Sequence, residues 1–287
     1  MHVLVTGKNG KLVTYFREYA AANRTDDRFD FVSLRTEEWK ALDLASCDAL
    51  IHCAGITSAP ENDYETFYRA NVELTKSVFE EYARQKGRYF VYLSSMAVYD
   101  GIGWGFGERG MIRADTPPRP ATPYGRSKLE AEEAVRAAER GETKLAVVRA
   151  PTIVGAGIEA YFDRYIRCAE IPLLPIPWTH TEAKRSFVYA DTLIEFLCEL
   201  AETGREGVFF PQNLPALSVS EMMLAAARAM GKRKKTSRLL GALLPPAVQK
   251  RFFSQICYDE ALSADEVFSR IPSREAVERV IKGTRRT

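Results

Sequence analysis

Histidine is scarce in this chain, and the scarcity removes whole classes of chemistry. Three are present, His2, His52 and His180, too few and too scattered for a histidine-rich metal centre. Cysteine offers no better framework. Cys47, Cys53, Cys168, Cys198 and Cys257 are odd in number, spread along the chain, and form no C-x-x-C pair. That argues against a disulfide scaffold or a zinc site and for a reducing compartment. No basic-then-apolar leader opens the sequence, so the cytoplasm is the expected location. No apolar run is long enough to span a bilayer. The most ambiguous stretch, residues 239–246, is short and broken by Pro245 and Pro246, and reads as a core or lid segment. Charge of one sign is missing too. Lys and Arg total 40 against 38 Asp and Glu, which gives no reason to expect nucleic acid but leaves acidic small ligands open. Internal repeats and low-complexity linkers are absent, so any second lobe is expected to be woven into the first.

What the chain does have is a regular alternation of short apolar runs and helical patterns, at a length that suits one large α/β domain or a nucleotide domain carrying a smaller lobe. Residues 2–5 read as a strand and lead into Gly7-Lys8-Asn9-Gly10-Lys11-Leu12, after which a helical pattern runs through Ala21. Strand, glycine turn and helix make the context in which helix N-terminal amides hold a pyrophosphate. The spacing calls for a third glycine at Val13, whose bulk implies a slightly displaced helix rather than the loss of a cofactor site. A second strand, residues 29–34, ends at Arg35 with no carboxylate at the strand end. Such an arginine suits a ribose 2′-phosphate and tilts the cofactor towards NADP; a solvated loop charge or stacking on adenine are the other readings. A third strand, residues 49–53, gives way to Ala54-Gly55, small residues that let a ligand pass close to the backbone. His52 lies inside that strand and reads as a core residue.

Residues 64–85 have the pattern of one long amphipathic helix. A fourth strand over 89–93 ends in Ser94-Ser95, which puts hydroxyls where open α/β sheets gather their ligands. The glycine-studded stretch 101–107 reads as a mobile loop over a substrate. A further strand is predicted over 144–148, then helices over 160–168, 192–201 and 218–229, with a strand at 207–210. Lys232-Arg233-Lys234-Lys235 reads as a solvated helix end, with a phosphate or membrane contact as the alternative.

The most informative stretch is Tyr124-Gly125-Arg126-Ser127-Lys128. Pro123 suits a helix start, and residues four apart share a helix face, so the phenol and the ammonium project the same way. Taken alone, that spacing also describes a solvated surface pair. A phenol is a poor base at neutral pH; a cation held close would lower its pKa towards the range useful for proton exchange with a carbinol or ketone.

Five segments in order carry a family likeness: the opening glycine turn, residues 94–99, residues 124–128, Arg149-Ala150-Pro151-Thr152-Ile153-Val154-Gly155, and Arg185-Ser186-Phe187-Val188-Tyr189-Ala190-Asp191. With them the chain resembles the extended short-chain dehydrogenase/reductase family, and more closely its nucleotide-sugar epimerase/dehydratase branch, over residues 1 to about 211. The resemblance implies a Rossmann-type doubly wound parallel sheet over residues 1–155. It implies a small interwoven substrate lobe over 156–287, with 186–211 returning to the sheet. It further implies Tyr124 as acid/base, Lys128 as its pKa-lowering partner and holder of the nicotinamide ribose, and Ser95 as hydroxyl partner. NAD or NADP would be held by Gly7, Asn9, Gly10, Lys11, Leu12, Arg35, Ala54, Gly55 and Pro151, together with Tyr124 and Lys128. A nucleotide sugar would meet Ser95, Thr152 and Arg185, the guanidinium pairing with its diphosphate; an ion pair with a carboxylate such as Asp191 is the structural alternative for Arg185. Dehydratases of the branch carry an acidic pair where this chain has Met96 and Ala97, which transfer no protons, so dehydration is disfavoured. A 4-epimerase and a 4-keto-sugar reductase remain, beside a non-catalytic cofactor sensor. A homodimer is the family expectation.

Overall fold

Parallel strands buried on both faces need continuous apolar runs, and six of them build the central sheet. They are β1 (His2–Thr6), β2 (Arg28–Val32), β3 (Ala49–His52), β4 (Tyr89–Ser95), β5 (Lys144–Ala150) and β6 (Gly207–Phe209). In the computed structural model, which describes residues 1–60, 63–102, 111–158, 160–178, 183–253 and 255–284, they lie in the order β6-β5-β4-β3-β1-β2 and pair in parallel throughout. The chain winds outward from β1 in both directions, so the crevice for a ligand opens beyond the carboxyl ends of β1 and β3. Register fixes what lines it. Thr6 pairs with His52, which brings the turn after β1 beside Ala54-Gly55.

These strands and their helices form the first of two units, residues 1–102, 117–150 and 193–210. The helices are α1 (Lys11–Asn23), α2 (Tyr64–Phe67), α3 (Leu74–Arg84) and α4 (Pro123–Ala137), with the last eleven residues of α6 (Ala190–Thr203). The core packs aromatic rings against the sheet: Phe79 and Phe90 meet edge to face with centroids 5.0 Å apart. Fully buried rings such as these contribute on the order of 1.5–3 kcal/mol each from area alone. The predicted helix over 64–85 is broken by a wide π turn, Tyr68–Glu73, between α2 and α3. Asp63 starts that assembly by accepting from the amides of Glu65 and Thr66.

The second unit comprises residues 103–116, 151–192 and 211–287. Thr152–Val154 pairs in parallel with Phe187–Tyr189, Lys184–Arg185 runs antiparallel to Leu217–Ser218, and Ile176–Pro177 lies parallel to Thr236–Ser237. Helices α5 (Ala160–Glu170), α7 (Val219–Ala229) and the C-terminal helix Ser273–Thr284 surround a core that includes Met222, Met223, Ala226, Val277 and Ile281. A reciprocal cap of Ser218 and Glu221 starts α7, satisfying two otherwise orphaned amides.

Several expectations shift. Residues 111–116 cluster with the second unit, and residues 193–210 with the first. Residues 239–246 are core only in part: Leu244 packs against the second unit's core, but the stretch begins in a short helix, α8 (Arg238–Leu243), whose Leu239 and Leu243 are 72% and 70% exposed. Position 103 onward in the expected glycine-rich loop lies outside the described residues.

Candidate active site

The turn after β1 is built for close approach. Gly7 has φ +92°, a left-handed backbone that favours glycine; a β-carbon there would stand 3.1 Å from the Ala54 amide nitrogen, and one at Gly10 would stand 3.2 Å from the Gly7 carbonyl oxygen. Gly10 caps α1 without a side-chain hydrogen bond, and the first helical bond is from the Thr14 amide to the Gly10 carbonyl. The amides of Lys11, Leu12 and Val13 therefore head the helix with no acceptor in it, at the positive end of its dipole. This cradle fits a dinucleotide pyrophosphate: donors without side-chain caps, on a turn that glycine lets pack tightly against the end of β3. Asn9 and Lys11 are exposed on its rim, whereas Val13 is buried. Arg35 is exposed beyond the end of β2.

Helix α4 carries the chemistry. Thr122 caps it by accepting from the Gly125 amide at 3.0 Å, and Pro123 occupies its first turn. Tyr124, Lys128 and Glu132 follow at intervals of four and share a face. Glu132 is fully buried and binds the helix to the sheet, accepting from Ser94 at 2.6 Å and from the Arg149 guanidinium at 2.7 Å. Gly125 lets the helix come close to the 96–99 turn, because a β-carbon there would lie 2.3 Å from the Ala97 carbonyl oxygen. By this packing the Ser95 hydroxyl, which accepts from the Ala97 amide at 3.1 Å, lies where it lowers the pKa of the Tyr124 phenol.

Lys128 is 7% exposed. Its ammonium donates to the Leu93 carbonyl at 2.8 Å and to the Tyr92 hydroxyl at 3.2 Å, and lies 3.8 Å from where a β-carbon on Gly55 would be. Burial pushes its pKa down to about 8, with Cys53 and Glu132 pulling the other way. The phenol differs from the sequence expectation. Desolvation raises the Tyr124 pKa and the Ser95 hydrogen bond lowers it only in part. A nearby charge was expected to dominate; instead burial of the phenol, which disfavours its charged form, outweighs what lowers its pKa. His52, fully buried between the hydroxyls of Thr6 and Thr75 at 3.0 Å each, is driven down to about 3 and stays neutral. It is a core residue.

One participant escaped the sequence reading. Asn71, buried in the π turn, accepts from the Ile56 amide at 2.8 Å and donates to the Ile56 carbonyl at 3.0 Å and to Ser127 at 2.9 Å. It ties the Gly55 loop to α4. Gly55 itself, at φ +146°, has no room for a side chain, since a β-carbon would approach the Asn71 amide oxygen to 2.8 Å. The signal was present: Asn71 stands four residues after Phe67 on a face otherwise apolar. Pro151, Thr152 and Arg185 belong to the second unit. There Thr152 pairs with Phe187, two residues past the half-buried Arg185.

Strand, glycine turn, helix and the Ser–Tyr–Lys arrangement have a counterpart among known proteins: residues 4–209 match the model of the NAD-dependent epimerase/dehydratase family. This chain belongs to that family. It is similar to UDP-glucose 4-epimerase of Vibrio cholerae, 27% identical over 67% of this chain and 60% of that one. It is also similar to 4-hydroxy-2-methyl-3-oxo-4-farnesyl-3,4-dihydroquinoline-1-oxide ketoreductase of Stigmatella aurantiaca, 34% identical over 43% of this chain and 36% of that one. The aligned part is thus under two thirds of either relative's length. Among solved structures, MoeE5 in complex with UDP-glucose and NAD shares the fold, with a TM-score of 0.72, 23% identity, and coverage of 100% of this chain and 99% of that one. Among the described residues no helix is long and apolar enough to cross a membrane, and no group of three or more His, Cys, Asp or Glu could hold a metal ion.

Proposed function

We propose that the protein is a nucleotide-sugar epimerase of the 4-epimerase type, working by transient oxidation of a sugar hydroxyl in the cytoplasm. The observation that carries the reading is the placing of Tyr124 and the buried Lys128 on one face of α4, with the Lys128 ammonium beside the Gly55 loop. When bound, NAD(P) supplies the hydride acceptor and donor. Tyr124 takes the proton of the carbinol as it is oxidised and returns it to the same oxygen once the keto sugar has turned over, hydride being restored to the opposite face of its carbonyl. Ser95 orients the hydroxyl and holds the phenol. Lys128, still an ammonium at neutral pH, stabilises the phenolate as it forms and secures the ribose. Gly7, Gly10 and the head of α1 receive the pyrophosphate, with Ala54 and Gly55 shaping the path beside it; Pro151 is assigned to the cofactor by the family resemblance alone. Thr152 and Arg185 serve the sugar nucleotide, the guanidinium pairing with its diphosphate.

Met96 and Ala97 occupy the turn next to Ser95 and give no second acid and base for eliminating water. A second reading keeps the same proton transfer but ends differently: an NAD(P)H-dependent reductase of a 4-keto sugar nucleotide. Arg35 beyond β2 and the likeness to a ketoreductase favour it. The two separate cleanly in one assay. Purified protein is given UDP-, GDP- and dTDP-sugars with NAD+, and 4-keto derivatives with NADPH. An epimerase interconverts sugars with no net change in nicotinamide absorbance; a reductase consumes one NADPH per product. Cofactor binding without turnover on any substrate would sink both and leave a sensor.

A further inference from the structure

A second surface, in the second unit, has no role in this chemistry. Helix α5 ends at Glu170 and the chain turns through Ile171-Pro172-Leu173-Leu174-Pro175 before pairing with Thr236–Ser237. Leu173 sits at φ +60° and is 101% exposed, flanked by Ile171 at 45% and Leu174 at 39%. Leucine pays to adopt a left-handed backbone, yet here the turn holds one outermost. Lys232, Arg233, Lys234 and Lys235 run alongside. Two of these cations fasten the turn: Lys232 donates to the Glu170 carbonyl at 2.8 Å, and Lys234 donates to the carbonyls of Ile171 and, at 3.0 Å, Leu174. The Pro172 carbonyl accepts from the Leu174 amide at 2.7 Å, and the two prolines have no amide to satisfy. The tip is thus apolar outside and has most of its carbonyls already bonded, as a segment entering a low-dielectric boundary requires.

Arg233, Lys235 and Arg238 are exposed around it, and a cleft of about 670 Å³ opens between the turn and the basic segment. Beyond the pairing, Leu239 and Leu243 project from α8 one helical turn apart. Five cations stand against one carboxylate, Glu170, in these two stretches. A water-soluble acidic partner would match the charge but leave Leu173 with nothing to bury it. A neutral apolar partner would leave the charge unmatched. An anionic lipid surface answers both.

We propose that this face docks on an anionic phospholipid bilayer, the basic segment against the headgroups and Leu173 in the acyl boundary. The test is co-sedimentation of the full chain with vesicles of phosphatidylcholine alone or with 30% phosphatidylglycerol, at 50 mM and 500 mM salt. Partitioning is expected to be at least about tenfold stronger on anionic vesicles at low salt, and to fall sharply at high salt as the charges are screened. Leu173→Asn is expected to weaken it about tenfold or more, from the lost apolar burial. Asparagine tolerates a positive φ better than leucine, and an unchanged circular dichroism melt confirms that the variant folds. The double variant Arg233→Glu/Lys235→Glu is expected to abolish the preference. Equal sedimentation on both vesicle types at low salt overturns the proposal. So does full binding by Leu173→Asn, which would make the contact a diffuse charge effect.

Discussion

Replacing Lys128 by methionine should make the protein more stable at pH 7 and less stable at pH 9.5. The lysine is nearly buried and its pKa falls from 10.5 to about 8. At about 1.36 kcal/mol per unit, the charged form costs the fold about 3 kcal/mol. Below pH 8 folded and unfolded lysine are both protonated, so the whole cost applies. Between 8 and 10.5 the folded lysine sheds its proton while the unfolded one keeps it, and the cost fades as pH rises. At pH 9.5 about 2 kcal/mol of it is gone. Methionine escapes the cost but loses the hydrogen bonds to Tyr92 and Leu93, at about 1 kcal/mol each. The balance is a gain of about 1 kcal/mol at pH 7 and a loss of about 1 kcal/mol at pH 9.5. Urea unfolding of both proteins at the two pH values measures it. A stability difference that does not move with pH would refute the desolvation argument, and turnover should vanish in either case.

Tyr124→Phe should lower turnover by roughly 10²–10⁴-fold while cofactor affinity by fluorescence titration stays nearly unchanged, since only the proton carrier is removed. Arg35→Ala should raise the Kd for NADPH about tenfold and leave that for NADH alone; equal losses would discard the 2′-phosphate role. Gly125→Ala forces a methyl into the Ala97 carbonyl oxygen, so α4 must lift. A stability loss of about 1–3 kcal/mol is expected, with a turnover loss that outlasts full folding at low temperature; wild-type melting would show that the contact gives way freely.

The sheet was legible because its strands are what parallel pairing demands: unbroken apolar runs such as Val3-Leu4-Val5 and Phe90-Val91-Tyr92, each closing on small or hydroxylated residues. The nucleotide turn and the Tyr124–Lys128 face were legible for a similar local reason, as spacing on one helix fixes direction. Tertiary quantities were not. The acidity of Tyr124 depends on how much water the packed sheet excludes, which no spacing reveals. Leu239 and Leu243 read as core or lid because hydrophobicity alone does not say which neighbour arrives. Asn71 was hidden by the π turn, which widens a helix whose amphipathic pattern reads as regular.

That widened turn has a bearing on how this chain tolerates change in length. It accommodates one residue more than an ordinary helical repeat would. Excising a single residue such as Arg69 would therefore let the backbone ladder close into plain helix with the residues before and after the turn still in phase. Phe67 would keep its packing, whereas Asn71, which lies inside the turn, would lose the widened backbone that aims its carboxamide at the Ile56 backbone. The stretch 68–73 thus serves the cleft more than the core, and a one-residue deletion there should spare the fold while loosening the Gly55 loop.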